Sequence, residues 1–423
     1  MTQQIQQTTE FASDAVALLS RLIHRAAKRG TEKVGTEHLL YMLLDDNEKP
    51  GAALVPGFQT STSVSGQILA RMGNDDLWVR TDEDTSSGSG DDSATSTSSS
   101  DHDHDNDDRI EADAAWREAL WLSVRRSRPG PAREAPRPVP SGALRAAVLG
   151  ALRQARREGS YTVHERHIAR ALLELPMSRA VEQMVLCRVD LAASAAALDA
   201  QAEAVRGGAT PWTAEHEAES GSLALLRQSG LLGERGSWWM RGLTSWMARS
   251  AGDGSPILMV LRTEAVRQAE RYGRDTAGPA ELLLAVLALD RALTLAGKAL
   301  PAELAEVNSV AEELRSCGVR HAALVRAAVA LVPATGHTVP SPSEPFTPAG
   351  KVEMSAEGDQ LVARVRLLAA ERGAGTVGTA HVLAVLLDEE GTGEVVGRLL
   401  GESGADPDEL AVLRDRLDGR LGA

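Results

Sequence analysis

One helical unit recurs four times along this chain of 423 residues, and no other feature limits its folding as strongly. The clearest copy is Val34-Gly35-Thr36-Glu37-His38-Leu39-Leu40, which follows the apolar-periodic run Phe11 to Arg29. Val377-Gly378-Thr379-Ala380-His381-Val382-Leu383 repeats it near the C-terminus, after Leu361 to Arg372. Weaker copies stand at Val163-His164-Glu165-Arg166-His167-Ile168-Ala169 and Ala277-Gly278-Pro279-Ala280-Glu281-Leu282-Leu283. Each reads as a long amphipathic helix, a short turn and a second helix opening at a small or capping residue.

The composition agrees with that pattern. Aromatic residues make up 3% of the chain while hydrophobic residues make up 43%. Ala, Leu and Arg lose little rotamer freedom in helices, whereas strands favour β-branched and aromatic side chains, so an all-α fold is predicted. The formal charge of −14 is local. Ten acidic residues lie between Thr81 and Asp108 with no Lys or Arg among them, and the rest of the chain carries about −4. No basic face is left for phosphate backbones, which argues against a nucleic-acid partner. Cys187 and Cys317 read as two reduced thiols. Met1-Thr2-Gln3-Gln4 opens no signal peptide and no apolar run is long enough to span a bilayer, so a cytoplasmic protein without a membrane partner is expected.

Taken in order, Val16, Leu19, Ile23 and Ala26 form one apolar stripe, Gly30 stops the helix, and Thr36 is read as the N-cap of the next. The Ser-, Thr-, Gly- and Asp-rich tract Thr81 to Asp108 contains no large apolar residue and reads as a disordered linker. Within it, Asp101-His102-Asp103-His104-Asp105 imitates the opening of a calcium loop, but Asn106 and Ala112 stand where Gly and Glu are needed, so no metal is expected. Helices are predicted at Ile110 to Arg126, from Ser141, at His164 to Leu175 and at Val185 to Gln201. Gly207 to Gly254 breaks the period and holds Trp238, Trp239 and Trp246. Three readings of that cluster stand: a bridge packed on the domains, a dock for a partner protein, and a membrane-surface helix. Ser255-Pro256 opens a third unit, and the fourth runs from about Met354 to a final helix at Pro407 to Arg420.

The motifs of the common enzyme classes do not form. Gly297-Lys298-Ala299 and Gly350-Lys351-Val352 lack the phosphate-loop pattern. Gly391-Thr392-Gly393-Glu394-Val395-Val396-Gly397 misses the dinucleotide spacing and reads as a loop between helices. His164-Glu165-Arg166-His167 is one residue short of a zinc-protease helix. No cofactor, metal or catalytic residue is therefore assigned, and His38, His167, Glu281 and His381 read as residues of helix starts.

Phe11 through His38, with Gly35-Thr36-Glu37-His38 and the following Leu39-Leu40, resembles the first repeat of the Clp N-terminal domain, or Clp R domain, found at the front of Clp unfoldases such as ClpA and ClpC. The other three units look like divergent copies. The resemblance implies two tandem Clp N-type domains, each a pseudo-duplicated pair of small helical bundles. The first spans 8–205, with repeats at about 8–80 and 141–205, an acidic insert at 81–109 and a Pro-rich connector at 129–140. A Trp-containing bridge follows at 206–254. The second spans 255–423, with repeats at about 255–318 and 354–423 and a connector at 333–349.

That family's domains receive substrates and adaptors for an ATPase ring, and this chain carries no phosphate loop. The resemblance therefore implies a non-enzymatic protein- or peptide-binding protein of the Clp chaperone-protease system, whose partners are clients, adaptors, Clp components or peptide-like small molecules. Two alternatives stand beside it: an accessory subunit of Clp proteolysis with peptidase activity, and a helical scaffold. In ClpC-like members the Glu of each Gly-Thr-Glu-His helps bind phosphorylated arginine. Glu37 alone matches, since Arg166, Ala280 and Ala380 hold the equivalent places and Ala12 follows Phe11 where such members often have Thr. Phe11, Thr36, Glu37 and His38 are the candidate binding residues, and Trp238, Trp239 and Trp246 the candidate docking residues.

Overall fold

The computed structural model describes residues 9–45, 50–56, 61–72, 74, 77–78, 82, 99–126, 138–206, 221–228, 231–232, 255–331, 352–374, 376–388 and 392–421. The protein is all-α, and among the described residues short strands occur only where repeats meet. It divides into two compact units, one holding the described residues of Thr9–Glu217 and the other those of Ala218–Thr338 and Thr347–Ala423.

The first unit contains α1 (Ser13–Lys28), α2 (Thr36–Asp45), α3 (Pro50–Leu54), α4 (Ser61–Arg71), α5 (Ser99–Arg126), α6 (Gly142–Arg157), α7 (Glu165–Leu173), α8 (Arg179–Leu186) and α9 (Leu191–Arg206). Ala15, Val16, Leu18, Leu19, Leu22, Ile23 and Ala26 of α1 are buried, the stripe expected from helical spacing. Each Leu so buried contributes roughly 1.5–3 kcal/mol relative to solvent exposure. The core they enter is shared with α2, α5, α6 and α7.

Asp82 and residues 99–108 depart from the tract's reading as a linker, and the rest of the tract lies outside the described residues. Helix α5 begins at Ser99, inside the tract, and Asp82 is buried. Negative charges in the first turns of a helix interact favourably with its dipole, so an Asp-rich stretch can open a helix that its apolar content does not announce. Further along α5, Ala115 and Ala119 are fully buried and anchor it in the core. The helix read over Val185 to Gln201 is two helices, parted at Arg188, which takes a positive φ of 55°.

The second unit contains α10 (Gly221–Gln228), α11 (Pro256–Arg271), α12 (Pro279–Leu295), α13 (Ala302–Ala305), a 3₁₀ turn (Glu306–Asn308), α14 (Val310–Ser316), α15 (His321–Leu331), α16 (Ala356–Glu371), α17 (Thr379–Asp388), α18 (Thr392–Glu402) and α19 (Pro407–Leu421). Helix α10 lies in the stretch read as a bridge. It buries Leu223 and Leu226, and Ser222 Oγ donates to Glu264 Oε2 of α11 at 2.5 Å, so this part belongs to the unit. Helix α18 starts at Thr392, where a loop was expected.

The first helix of every repeat ends alike. Gly30, Gly159, Gly273 and Gly373 have φ of 70°, 70°, 69° and 64°. Each donates its amide to a carbonyl three residues back, and the next residue donates to one five back. This is the left-handed C-cap that only glycine adopts without strain.

Two-residue parallel strands, absent from the sequence reading, then link repeats. In the first unit β1 (Glu10–Phe11) pairs with β4 (Thr162–Val163), and β2 (Lys33–Val34) pairs with β3 (Val139–Pro140). In the second, β5 (Thr276–Ala277) pairs with β6 (Glu353–Met354). In three of the four repeats, the strand ahead of the motif helix thus meets the strand ahead of the first helix of the other repeat.

Candidate functional site

The β2–β3 pair brings the start of α2 to the start of α6, which places the Gly35-Thr36-Glu37-His38 turn beside Ser141. Thr36 is the first residue of α2, not its N-cap; Gly35 holds that position. A side chain at Gly35 would crowd both acids, because an added Cβ would stand 2.6 Å from Asp82 Oδ2 and overlap the Glu37 carboxylate, so that these side chains must shift.

Asp82 is the centre of this turn, at 4% exposure. Its Oδ2 accepts the Thr36 amide at 2.5 Å and the Ser141 hydroxyl at 3.3 Å. Its Oδ1 accepts the Thr36 hydroxyl and the Arg179 amide, both at 2.9 Å. Its backbone carbonyl accepts the Ala143 amide at 2.8 Å. Thr36 Oγ1 in turn accepts the Ala180 amide at 3.1 Å. One side chain thus ties the N-termini of α2 and α8 together with the Ser141 cap of α6, where unpaired amides and the positive ends of helix dipoles collect. Burial and the nearby Glu37 charge raise the Asp82 pKa despite these donors.

Glu37 is 3% exposed. Its Oε1 lies 3.0 Å from His38 Nδ1 and 3.4 Å from Arg179 Nη1, and its Oε2 has no hydrogen-bond partner among the described residues. Burial pushes the Glu37 pKa up, but His38 and Arg179 outweigh it and the net shift is downward. His38 Nδ1 also stands 3.3 Å from the Gly35 amide. One ring nitrogen cannot both accept that amide and donate to Glu37, so only one of the two bonds is made at a time.

Phe11 sits elsewhere. It is buried in β1, in register with Val163 at the entrance to the second repeat, and its amide donates to Glu111 Oε1 of α5 at 3.0 Å. Thr36, Glu37 and His38 share one turn that Phe11 does not join. Trp238, Trp239 and Trp246 lie outside the described residues.

The recurring motif residue has one structural task in all four repeats. The backbone amide at the N-cap donates to the side chain three residues on: Gly35 to His38, His164 to His167 Nδ1 at 2.8 Å, Gly278 to Glu281 Oε2 at 2.8 Å, and Gly378 to His381 Nδ1 at 3.2 Å. This is the return bond of a capping box, with imidazole in place of carboxylate at three of four positions.

At the second-repeat turn, Asp14 takes the part of Asp82. It accepts the Glu165 amide, and both its oxygens lie 3.2 Å from His164 Nδ1. His164 Nε2 is 2.9 Å from Thr162 Oγ1. The order acid, imidazole, hydroxyl resembles a hydrolytic relay, and the Thr162 amide is given to Ser160 Oγ. Arg166, at the place equivalent to Glu37, ion-pairs with Glu158, and Arg21 pairs with Glu165 at 3.1 Å.

Among the described residues no group of three or more His, Cys, Asp or Glu could hold a metal ion, and no helix is long and apolar enough to cross a membrane. Cys187 and Cys317 form no disulfide, and burial raises both thiols. No family model, curated protein or solved structure matches the chain.

Sequence reasoning missed Asp82, Ser141 as a donor to it, and the Arg179 and Ala180 amides. Ser141 was visible as a cap, but nothing in the sequence ties Asp82 to a turn 46 residues earlier.

Proposed function

We propose that the protein is a non-enzymatic protein- or peptide-binding member of the Clp chaperone-protease system, which recognises or sequesters clients, adaptors or peptide-like molecules through the Gly35-Thr36-Glu37-His38 turn. One observation supports this reading: amide and hydroxyl donors at the starts of α2, α6 and α8 converge on the chain's own Asp82 carboxylate beside a buried Glu37. A site that holds one side chain by four directed donors has the chemistry of a receptor for a charged peptide group.

The test is quantitative binding of the purified chain to a cognate Clp protease complex, to its clients and to a phosphoarginine peptide, with Glu37→Ala as control. Binding that weakens strongly in Glu37→Ala is the expected result. Binding that survives the substitution unchanged removes this turn as the recognition site, and no binding to any of the three removes the reading itself.

A further inference from the structure

The first amide of a helix has no partner within the helix, so each motif helix must have it met from outside. Asp82 meets that of Thr36, Asp14 that of Glu165 and Asn308 Oδ1 that of Thr379, at 2.9 Å. In α12 the position is Pro279, which has no amide to meet.

The electrostatics of these fillers differ. Asn308 is neutral, and Ala380 stands where Glu37 does, so that place carries no carboxylate. Asp14 faces His164. Asp82 alone is a buried carboxylate set against a second buried carboxylate, and Glu37 Oε2 receives no donor from it. Like charges in contact in a low-dielectric setting oppose the bonds that hold Asp82 in place. A purely structural cap would be better served by the neutral amide used at Asn308.

We propose that Asp82 is an in-chain occupant of an oxyanion cradle, and that it holds the first-repeat site shut until the oxyanion of a bound peptide displaces it. The cradle comprises the Thr36 and Arg179 amides and the Thr36 and Ser141 hydroxyls. The preferred entrant is an oxyanion that carries its own proton, as hydrogen phosphate does, because it offers Glu37 Oε2 the donor that a carboxylate lacks. This inference rests on the peptide-binding reading above and adds its regulation.

The test is calorimetric titration of the full chain with inorganic phosphate and, separately, with sulfate, which is unprotonated near neutral pH. An occupied site lowers apparent affinity by the fraction of molecules in which it is open. Asp82→Ala is therefore expected to bind phosphate at least about tenfold more tightly than wild type. It should also prefer phosphate to sulfate, and adding Ser141→Ala should lose the gain. Equal phosphate affinity in wild type and Asp82→Ala overturns the proposal, as does a gain that ignores Ser141. If Asp82→Ala does not fold, Asp82→Asn carries the test: a neutral amide relieves the repulsion and can donate to Glu37 Oε2, so it should hold the cradle shut more firmly, and weaker phosphate binding than wild type supports the proposal while unchanged or tighter binding overturns it. Client binding by wild type, measured in parallel, separates the two ideas. Clients bound without a phosphate gain in the variant sink the occluding role alone, whereas a phosphate gain with no client bound by either chain upholds occlusion and sinks the peptide-binding reading.

Discussion

His167 accepts the backbone amide of His164 on Nδ1 at 2.8 Å, which obliges Nε2 to carry the ring proton and give it to Glu158 Oε2 at 3.2 Å. The neutral tautomer is thereby built into the start of α7. Burial is the largest influence on His167 and lowers its pKa to about 4, while hydrogen bonds from His167, Arg166 and Gln154 overcome burial at Glu158 and lower it to about 2.

Stability of the first unit should therefore fall in two stages on acidification. An unfolded His takes up a proton near pH 6.5 and the folded His167 only near 4, so the unfolded state binds more protons in between and stability drops as pH falls through that window. The loss is at most roughly 3 kcal/mol. Glu158, whose folded pKa is depressed, stabilises above its ordinary value near 4.5, and that contribution disappears as pH falls toward 2. Urea unfolding at several pH values checks both stages. His167→Gln, which can still accept the His164 amide, should flatten the first stage and shrink the second, because it also removes the His167 donor to Glu158.

Three glycines should respond to alanine in three ways. Gly35→Ala places a methyl against the Asp82 and Glu37 carboxylates and should destabilise by about 1–3 kcal/mol. Gly30→Ala meets no atom, but its φ of 70° is left-handed, so a loss of about 1 kcal/mol is expected. Gly66→Ala lies inside α4 with open space around it and should stabilise by about 0.5–1 kcal/mol. Melting temperatures of the three variants decide the order, and a neutral Gly35→Ala would refute the crowding at the turn.

Ser141 and Ser355 occupy matching N-caps and should not be equivalent. Both accept a first-turn amide, from Leu144 at 3.1 Å and Gly358 at 2.9 Å. Ser141 also donates to Asp82. Ser355→Ala should destabilise its unit by about 1 kcal/mol, the ordinary effect of a lost cap. Ser141→Ala should destabilise by that and a further ~1 kcal/mol for the second bond. Chemical denaturation with probes in each unit measures the difference; equal losses would show that Ser141 holds Asp82 weakly.

Much of this architecture was legible because it rests on local chemistry that repeats. Apolar spacing in α1, Gly30 at its end and the Ser141 cap each act within a turn or two of chain. What escaped depends on long-range partners or on weak signals. Strands of two residues, such as Lys33–Val34, are too short to show alternation. Helix α5 opens on Asp-rich sequence, where dipole interaction and distant burial at Ala115 and Ala119 override composition. In the candidate site, Thr36, Glu37 and His38 were visible as a motif, yet Asp82 entered only through the fold that brings it to Thr36.

The crossed strand pairs bear on how such a chain could arise. β1 and β2 flank the first helix of one repeat, and both find their partners, β4 and β3, in the other. A lone repeat would leave two backbone edges without mates, and a second identical copy would supply both at once by a twofold exchange. The first unit therefore has the layout of an isologous dimer whose subunits have been joined end to end, so that one copy of the turn could lose its acidic residue, as Arg166 marks in the second repeat, without loss of the scaffold that supports Glu37 in the first.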